Sequence, residues 1–158
     1  MPAIFAIIVI VLDQITKYAV RRNFTIGESL PVIKGVFRIT YVRNTGAAFS
    51  MFEGQKLLTV AIPIVLVATC AYAAYYFWKR RSGRADRLYA FAFASISSGG
   101  AGNLIDRIGA GYVTDMFDFQ VFPVFNVADI AVTCGCVLLA ICVIFIDRPD
   151  GKVRAKQR

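Results

Sequence analysis

Long apolar segments alternate with short polar segments along this chain. Four apolar runs have roughly the 17–25 residues that a helix needs to cross a bilayer core, and they cover residues 3–20, 57–78, 88–105 and 127–146. Backbone polar groups find no water in that core, so each run is expected to be a helix. The pattern predicts an all-α integral membrane protein with four transmembrane helices in a single domain over residues 1–158.

The first apolar run differs from a removable signal peptide. No positive charge precedes it, no convincing small-residue cleavage site follows it, and it contains Asp13 and Lys17. A removable hydrophobic region needs neither charge. We therefore interpret the first run as a retained helix.

The segment between the first two runs, residues 21–56, carries a strand pattern. In GVFRITYVRN, the residues Phe37, Ile39 and Tyr41 occupy alternate positions, a period of two that is typical of a strand. Residues 30–33 can supply the partner strand. The stretch NTGAAFSMFEG that follows has few charges and is expected to lie at the membrane interface.

Basic residues predict the orientation. The short segment 79–87 reads KRRSGRADR, and the tail 147–158 is also basic. The positive-inside rule places both in the cytoplasm, and four spans then place the N-terminus there too. Segments 21–56 and 106–126 consequently face outward. The six basic residues of the first outward segment compete with this orientation, but the segment is long and only Arg21, Arg22 and Lys56 lie next to span ends.

Composition supports lipid as the solvent. The 158-residue chain is 58% hydrophobic, above the roughly 45–50% of soluble domains, and a soluble chain this short could not bury so much apolar surface. Its net charge of +8 would also suit nucleic-acid binding. The basic clusters flank apolar runs, however, so we expect membrane lipid as a partner and no nucleic acid.

The absence of histidine narrows the possible chemistry. Without histidine, Ser-His-Asp and Cys-His mechanisms are excluded, as is histidine-ligated zinc. The four cysteines lie inside apolar runs without CxxC spacing, where they are expected to act as small hydrophobic residues. We therefore predict neither a metal nor a cofactor.

Polar residues of three spans converge at one depth. Asp13 and Lys17 share a helix face in the outer half of the first span, GGAGNLIDR ends the third, and FNVAD begins the fourth. The outward segment 106–126 adds Asp115 and Asp118 at the same level. Ionisable residues within spans are costly and rare, so each is a functional candidate.

Several candidates also have structural interpretations. Asp13 and Lys17 can form an ion pair that closes the bundle, and Asn126 can cap the fourth helix with Asp129 in its first turn. A stripe of small residues in the third run suits close helix packing, and it consists of Ser95, Ser98, Gly99, Gly100 and Gly102.

Three further positions have ordinary interpretations from their spacing. Arg107 can be an interfacial anchor, and Asp118 can be a solvated loop residue. Residues 44–46 read NTG, which is typical of a turn.

Paired carboxylates are the best acid–base groups that the chain offers. Two carboxyl groups in a poorly hydrated site do not ionise together, so one can act as general base and the other as general acid. A proton-coupled transporter is the second possibility, but the inner halves of the spans are nearly all apolar and no inverted repeat is present. A scaffold without activity would not explain the clustering at one depth.

Five stretches resemble the signature blocks of the lipoprotein signal peptidase, or signal peptidase II, family. They are DQITK (13–17), NTGAAFS (44–50), GGAGNLIDR (99–107), VTDMFDF (113–119) and FNVADIA (125–131), in the order of the family. The resemblance implies an aspartic endopeptidase of the bacterial inner membrane. It would cut diacylglyceryl-modified prolipoproteins just before the lipidated cysteine, with no obligate protein partner. It also implies a small extracytoplasmic β-cradle.

The resemblance assigns roles to individual residues. Asp115 and Asp129 would be the catalytic pair, and Asn126 would orient Asp129. Asn103 and Arg107 would contact the substrate backbone near the cut. The remaining substrate-binding or supporting residues would be Asn44, in the loop that helps hold the substrate, Gly46, Ala128, Asp13 and Lys17.

One position departs from the family pattern. Thr114 stands beside Asp115 where the family commonly has an apolar residue. The choice of Asp115 over Asp106 or Asp118 rests on the motif. A tight pair with Asp129 further requires that the outward segment fold back over the start of the fourth span.

Overall fold

Four helices cover the four apolar runs. The computed structural model describes residues 1–46, 56–80 and 82–146. The helices are α1 (Pro2–Asn23), α2 (Lys56–Arg80), α3 (Arg84–Gly109) and α4 (Val127–Ile141), and a π-helical turn, Cys142–Ile146, continues α4. The stretch after Gly46 that was predicted at the membrane interface lies outside the described residues, as does the basic tail 147–158.

The helices extend beyond several of the predicted span boundaries. Most of the predicted loop 79–87 is helical, because α2 continues to Arg80 and α3 begins at Arg84. At its other end α3 reaches Gly109, inside the segment predicted as 106–126. A charged side chain ends an apolar run in the sequence, but it does not end a helix, because its long aliphatic part allows the charge to reach water while the backbone stays helical.

Within the described residues, three helical segments are long and apolar enough to cross a membrane, namely α1, the part Thr59–Arg80 of α2, and Val127–Ile146. Large apolar side chains on their surfaces are exposed, among them Ile4, Val65, Leu66, Val137 and Val143. The helix α3 does not meet that criterion within the described residues. Serine and glycine lower the hydropathy of α3 where it contacts its neighbours.

The helix α3 is enclosed by the other three helices, since it packs against α1, α2 and α4. Ala90 and Ala92 are fully buried, and the Ser95 hydroxyl donates to the Ala131 carbonyl of α4 at 2.8 Å. A Cβ added at Gly99 would overlap the carbonyl oxygen of Ala128. The predicted role of the small residues in close packing is therefore confirmed.

A three-stranded antiparallel sheet lies at the end of the bundle where α1 and α3 end and α4 begins, which we call the sheet end. Its strands β1 (Ser29–Ile33), β2 (Phe37–Asn44) and β3 (Val113–Asp118) are ordered β1-β2-β3. The first two strands confirm the predicted pair. The proline of β1 is tolerated because β1 is an edge strand.

The third strand, β3, was missed by the sequence analysis, which assigned VTDMFD to an outward loop. Both faces of this strand mix polar and apolar residues, so no alternation marks it. Its first four residues, from Val113 to Met116, are nevertheless all buried. Burial here comes from tertiary packing, because Met116 joins Val20 of α1 and Tyr41 of β2 in one apolar cluster.

The chain after β3 folds back over the start of α4. The Phe125 carbonyl accepts hydrogen bonds from the backbone N–H groups of Met116 and Phe117, at 3.0 and 2.8 Å. Phe125 N in turn donates to the Phe117 carbonyl at 3.2 Å. This return is the one that a close approach of Asp115 and Asp129 requires.

Candidate active site

Asn126 begins α4 and fixes Asp129 in its first turn. The Asn126 side chain accepts from Asp129 N at 2.9 Å, and the Asp129 carboxylate accepts from Asn126 N at 3.2 Å. The two residues thus form a reciprocal capping box, which satisfies backbone donors that the helix leaves without partners. The predicted cap is confirmed.

The same asparagine contacts Asp115 of β3. Its Nδ2 donates to Asp115 Oδ1 at 2.7 Å and to Asn103 Oδ1 of α3 at 3.1 Å. Asn126 is fully buried, and its Nδ2 also donates to the Thr114 carbonyl at 3.4 Å. One side chain therefore connects β3, α3 and α4 at the sheet end.

Asn103 completes the surroundings of Asp129. Its Nδ2 donates to Asp129 Oδ1 at 2.8 Å, and its Oδ1 accepts from Lys17 Nζ at the same distance. Because the Asn126 backbone N–H donates to Asp129 Oδ2, each carboxylate oxygen of Asp129 has an N–H donor. Asp129 remains half-buried and lines a cavity of about 230 Å³ together with Phe122 and Phe125.

Asn44 at the end of β2 holds the other oxygen of Asp115. Its Nδ2 donates to Asp115 Oδ2 at 3.0 Å, while its Oδ1 accepts from Gly46 N at 2.8 Å. Gly46 has a φ of 83°, in the left-handed region that glycine adopts without strain. The NTG turn predicted from spacing therefore aims the Asn44 amide at Asp115.

Burial raises the pKa of Asp115 to about 6. The hydrogen bond from Asn44 opposes this shift, the negative charge of Asp129 adds to it, and the hydrogen bond from Asn126 again opposes it. The side chain is only 2% exposed, so the protonated form is favoured by the loss of hydration. Asp115 therefore keeps its proton into the mildly acidic range.

A buried ionic cluster lies behind the two aspartates. Lys17 contacts Asp13 at 2.9 Å and Asp106 at 3.3 Å, and Arg21 contacts Asp106 at 3.2 Å. Asp13 and Lys17 are fully buried. Two acids and two bases give a neutral set, which reduces the cost of burying the charges. The predicted ion pair between Asp13 and Lys17 is confirmed.

The acids of this cluster also hold the backbone on both sides of the site. Asp13 Oδ1 accepts from Ala128 N in the first turn of α4, and Asp106 Oδ2 accepts from Thr114 N in β3, both at 2.9 Å. The elements that carry Asp129 and Asp115 are thus held by the same cluster. Thr114, the departure from the family pattern, is fully buried.

Asp118 was predicted as a solvated loop residue, and that prediction was wrong. The residue is 5% exposed, and its Oδ2 accepts from Arg38 at 2.7 Å and Thr40 at 2.9 Å. The backbone N–H of Gln120, followed by Thr40 and Arg38, holds its pKa below the usual range. Asp118 therefore joins β3 to β2, a contact that spacing along the chain does not reveal.

Arg107 makes no hydrogen bond or ion pair with either aspartate among the described contacts. It is half-buried and borders a cavity of about 500 Å³ lined by Asn44, Thr45 and Gly111, and a second of about 190 Å³ that includes Asn103. Within the described residues its side chain has no hydrogen bond or ion pair. The structure therefore connects all the predicted site residues except Arg107 through hydrogen bonds and ion pairs. Arg107 borders the two cavities instead.

Two contributors to the site were missed by the sequence analysis. Gln14 Nε2 donates to Asp13 Oδ2 and to the Gly102 carbonyl, each at 3.1 Å, and Arg21 belongs to the ionic cluster. Arg21 follows Lys17 by four residues, as Lys17 follows Asp13, so a search for repeated i,i+4 charges could have found it.

Metal ligation finds no support in the described part of the chain. Across residues 1–46, 56–80 and 82–146, no group of three or more Asp, Glu or Cys side chains is placed to hold a metal ion. The expectation of chemistry without a metal or cofactor stays a prediction.

Comparisons with known proteins agree on one family. The family model described as signal peptidase (SPase) II matches residues 5–145. A lipoprotein signal peptidase of Halothermothrix orenii is 43% identical over 136 residues, covering 86% of this chain and 90% of that protein. One of Nostoc punctiforme is 41% identical over 145 residues, covering 87% and 85%.

Two solved structures share the fold of this chain. A bacterial membrane enzyme superposes with a TM-score of 0.80 at 31% identity, covering 93% of this chain and 94% of its own. A second gives a TM-score of 0.79 at 29% identity, covering 94% and 92%.

Proposed function

The chain belongs to the signal peptidase II family, and from this premise we propose that it is an aspartic endopeptidase acting on prolipoproteins. It removes the signal peptide from diacylglyceryl-modified precursors by cutting just before the lipidated cysteine. The observation that carries the proposal is that Asn126 contacts both Asp115, through its side chain, and Asp129, through its capping box.

Asp129 acts as the general base and Asp115 as the general acid. Asp129 lines a cavity through which water can reach its carboxylate, whereas Asp115 is buried and its pKa is raised to about 6. Asp129 takes a proton from water while the water oxygen attacks the scissile carbonyl carbon, and Asp115 gives its proton to the carbonyl oxygen. Collapse of the tetrahedral intermediate then breaks the C–N bond: the proton on Asp129 passes to the leaving amine, and a hydroxyl proton of the intermediate returns to Asp115 as the carbonyl re-forms.

Arg107 and Asn44 border the path of the substrate. The cavity of about 500 Å³ next to both residues can take an extended peptide, and the smaller cavity beside Asn103 and Val132 continues toward the apolar surfaces of the helices. A signal helix and a diacylglyceryl group can therefore remain in lipid while the peptide bond reaches the aspartates. Mobility of the segment 44–50 over this path remains a prediction, and most of that segment lies outside the described residues.

The protein forms one peptidase domain with four spans in the bacterial inner membrane. The 26 residues of α3 reach about 39 Å at 1.5 Å per residue, enough to cross a bilayer, and its neighbours shield its serine and glycine from lipid. Basic residues at both ends of the loop between α2 and α3 favour the cytoplasm for that loop and for both termini. The sheet end with its aspartates then lies near the outer face.

Cleavage of a purified precursor tests this function. The protein in lipid vesicles is incubated with a diacylglyceryl-modified prolipoprotein, with and without chelator, and the products are analysed by mass spectrometry. We expect a mature product that begins at the lipidated cysteine under both conditions. A matched precursor with serine at that position should remain uncut. Cleavage elsewhere, or complete loss of activity with chelator, would contradict the proposal.

A further inference from the structure

A cavity lined by basic residues lies next to an apolar groove at the end of the bundle opposite the aspartates. There α2 ends, α3 begins, and a cavity of about 380 Å³ is lined by Trp78, Gly83, Arg84 and Arg87. Both arginines are exposed. Among the residues that the structure describes, neither has a carboxylate partner.

The nearby carboxylate is already engaged. Asp86 Oδ2 accepts from the Ser82 hydroxyl at 2.6 Å and the Ser82 backbone at 2.8 Å, and Arg80 lies 3.7 Å from the same oxygen. Asp86 therefore neutralises Arg80 and leaves the charges of Arg84 and Arg87 uncompensated within the described part of the chain. Guanidinium groups at a membrane surface recognise phosphate through paired N–H donors.

An apolar groove adjoins this cationic cavity. The helices α1 and α2 both pack on α3 and leave between them a cavity of about 340 Å³. Its lining is Ala3, Ala6 and Ile7 of α1, Ala71, Tyr75 and Trp78 of α2, and Ala94 and Ser97 of α3, together with Met1, Pro2 and Ala74. From Ala71 to Trp78 the groove follows about 10 Å of helix.

Trp78 joins the two cavities because it lines both. Its ring meets Phe91 edge to face, with centroids 6.4 Å apart, so the junction is partly fixed by packing on α3. The apolar groove and the two arginines are thus continuous. That combination matches an amphipathic anion, with an acyl chain in the groove and a phosphate at its end.

We propose that this end of the bundle binds one anionic phospholipid, with its phosphate at Arg84 and Arg87 and an acyl chain in the groove between α1 and α2. The proposal rests on the membrane arrangement proposed above and is separate from the peptidase site. Any lipid can fill an apolar groove, but only a headgroup with a net negative charge compensates the positive charges of the two guanidinium groups.

Trp78 provides the test, because it is the chain's one tryptophan. The protein is reconstituted in phosphatidylcholine vesicles with a small, equal mole fraction of lipid brominated on its acyl chains, either phosphatidylglycerol or phosphatidylcholine. Bromine quenches tryptophan on contact. We expect the anionic lipid to occupy the site with a preference of about thirtyfold, the value expected for two basic residues at a membrane surface.

Two variants and a charge-matched control complete the test. Replacing both Arg84→Gln and Arg87→Gln should abolish the preference, whereas Arg22→Gln with Lys34→Gln, both exposed at the sheet end, should preserve it. Ala71→Phe should fill the groove and reduce quenching by both brominated lipids. Equal quenching by the two lipids in the original protein, or a preference that survives loss of both arginines, would overturn the proposal.

The fluorescence result does not depend on peptidase activity. Prolipoprotein cleavage is measured in the same vesicles, and the variant lacking both arginines is expected to cleave at the original rate. A protein that fails to cleave but shows selective quenching would contradict the proposed function while supporting the lipid site.

Discussion

At the scale of single residues, Asn126 has the largest influence on the geometry of the site. Its backbone and side chain contact Asp129, and its amide reaches Asp115 at 2.7 Å and Asn103 at 3.1 Å. Asn103 in turn is held by Lys17. The two aspartates are therefore positioned by asparagine amides, while the charged residues lie one contact further away.

Removal of the Asn44 amide should shift the pH dependence of cleavage. Because Asp115 is the proposed acid and burial raises its pKa to about 6, kcat/KM is expected to fall as pH rises through that value. The Asn44 donor stabilises the charged form, so Asn44→Ala should raise the pKa of Asp115 and move this fall to higher pH. The measurement is kcat/KM against pH, normalised to its maximum.

Asn23→Ala is the matched control for this shift. Asn23 is an exposed asparagine whose side chain donates to the Ala19 carbonyl, and the described contacts of Asp115 do not include it. Its pH profile should coincide with that of the original protein. A fall that moves to lower pH in Asn44→Ala would refute the assignment of the acid.

Loss of Lys17 should destabilise the protein strongly. Lys17→Met leaves Asp13 and Asp106 buried without this ammonium group, and breaking a buried ion pair costs about 3–5 kcal/mol. Thermal unfolding in detergent measures the effect. Adding Asp13→Asn should restore part of the loss, because asparagine can still accept from Ala128 N. A double variant as unstable as the sum of both single variants would contradict this coupling.

At the scale of elements, the sequence predicted the helices and strands that have a periodic pattern, and it missed the strand that is determined by tertiary packing. The four helices and the β1–β2 pair follow from apolar runs and alternation. The strand β3 could not be predicted in this way, because Thr114, Asp115 and Asp118 interrupt its pattern and are buried by partners distant in sequence. The helices continue into the ranges expected for the loops, because charge marks the membrane boundary and not the end of a helix.

Close contact between α3 and α4 should tolerate no side chain at Gly99. A Cβ there overlaps the Ala128 carbonyl oxygen, which is backbone and cannot turn away, so Gly99→Ala should displace the start of α4. We expect a loss of about 1–3 kcal/mol in stability, with reduced cleavage. Gly109→Ala on the same helix has no atom within 4 Å of the added Cβ and should be neutral. Equal unfolding temperatures for the two variants would argue against this packing.

At the scale of the whole molecule, the two ends of the bundle differ in chemistry. The sheet end holds the buried aspartates and the ionic cluster, and the opposite end presents basic residues around an apolar groove. Such asymmetry fits a protein that carries out its chemistry at one membrane face and is oriented by charge at the other.

Site-directed labelling tests the orientation. The four cysteines, all free in the structure, are first replaced, and a single cysteine is then placed at Val121, which is 95% exposed, or at the exposed Ser82. A membrane-impermeant maleimide applied to intact spheroplasts should label position 121 at once and position 82 only after permeabilisation. The reverse pattern would invert the proposed topology.

The most direct test of the central claim is cleavage of a lipid-modified prolipoprotein by Asp115→Asn and Asp129→Asn, with unfolding temperatures measured in parallel. Each variant should lose cleavage by at least about a hundredfold, the lower end of general acid–base contributions, while remaining folded. Asp118→Asn, a buried carboxylate in the same strand, should retain activity whenever it remains folded. Substantial cleavage by folded Asp115→Asn or Asp129→Asn would contradict the aspartate pair.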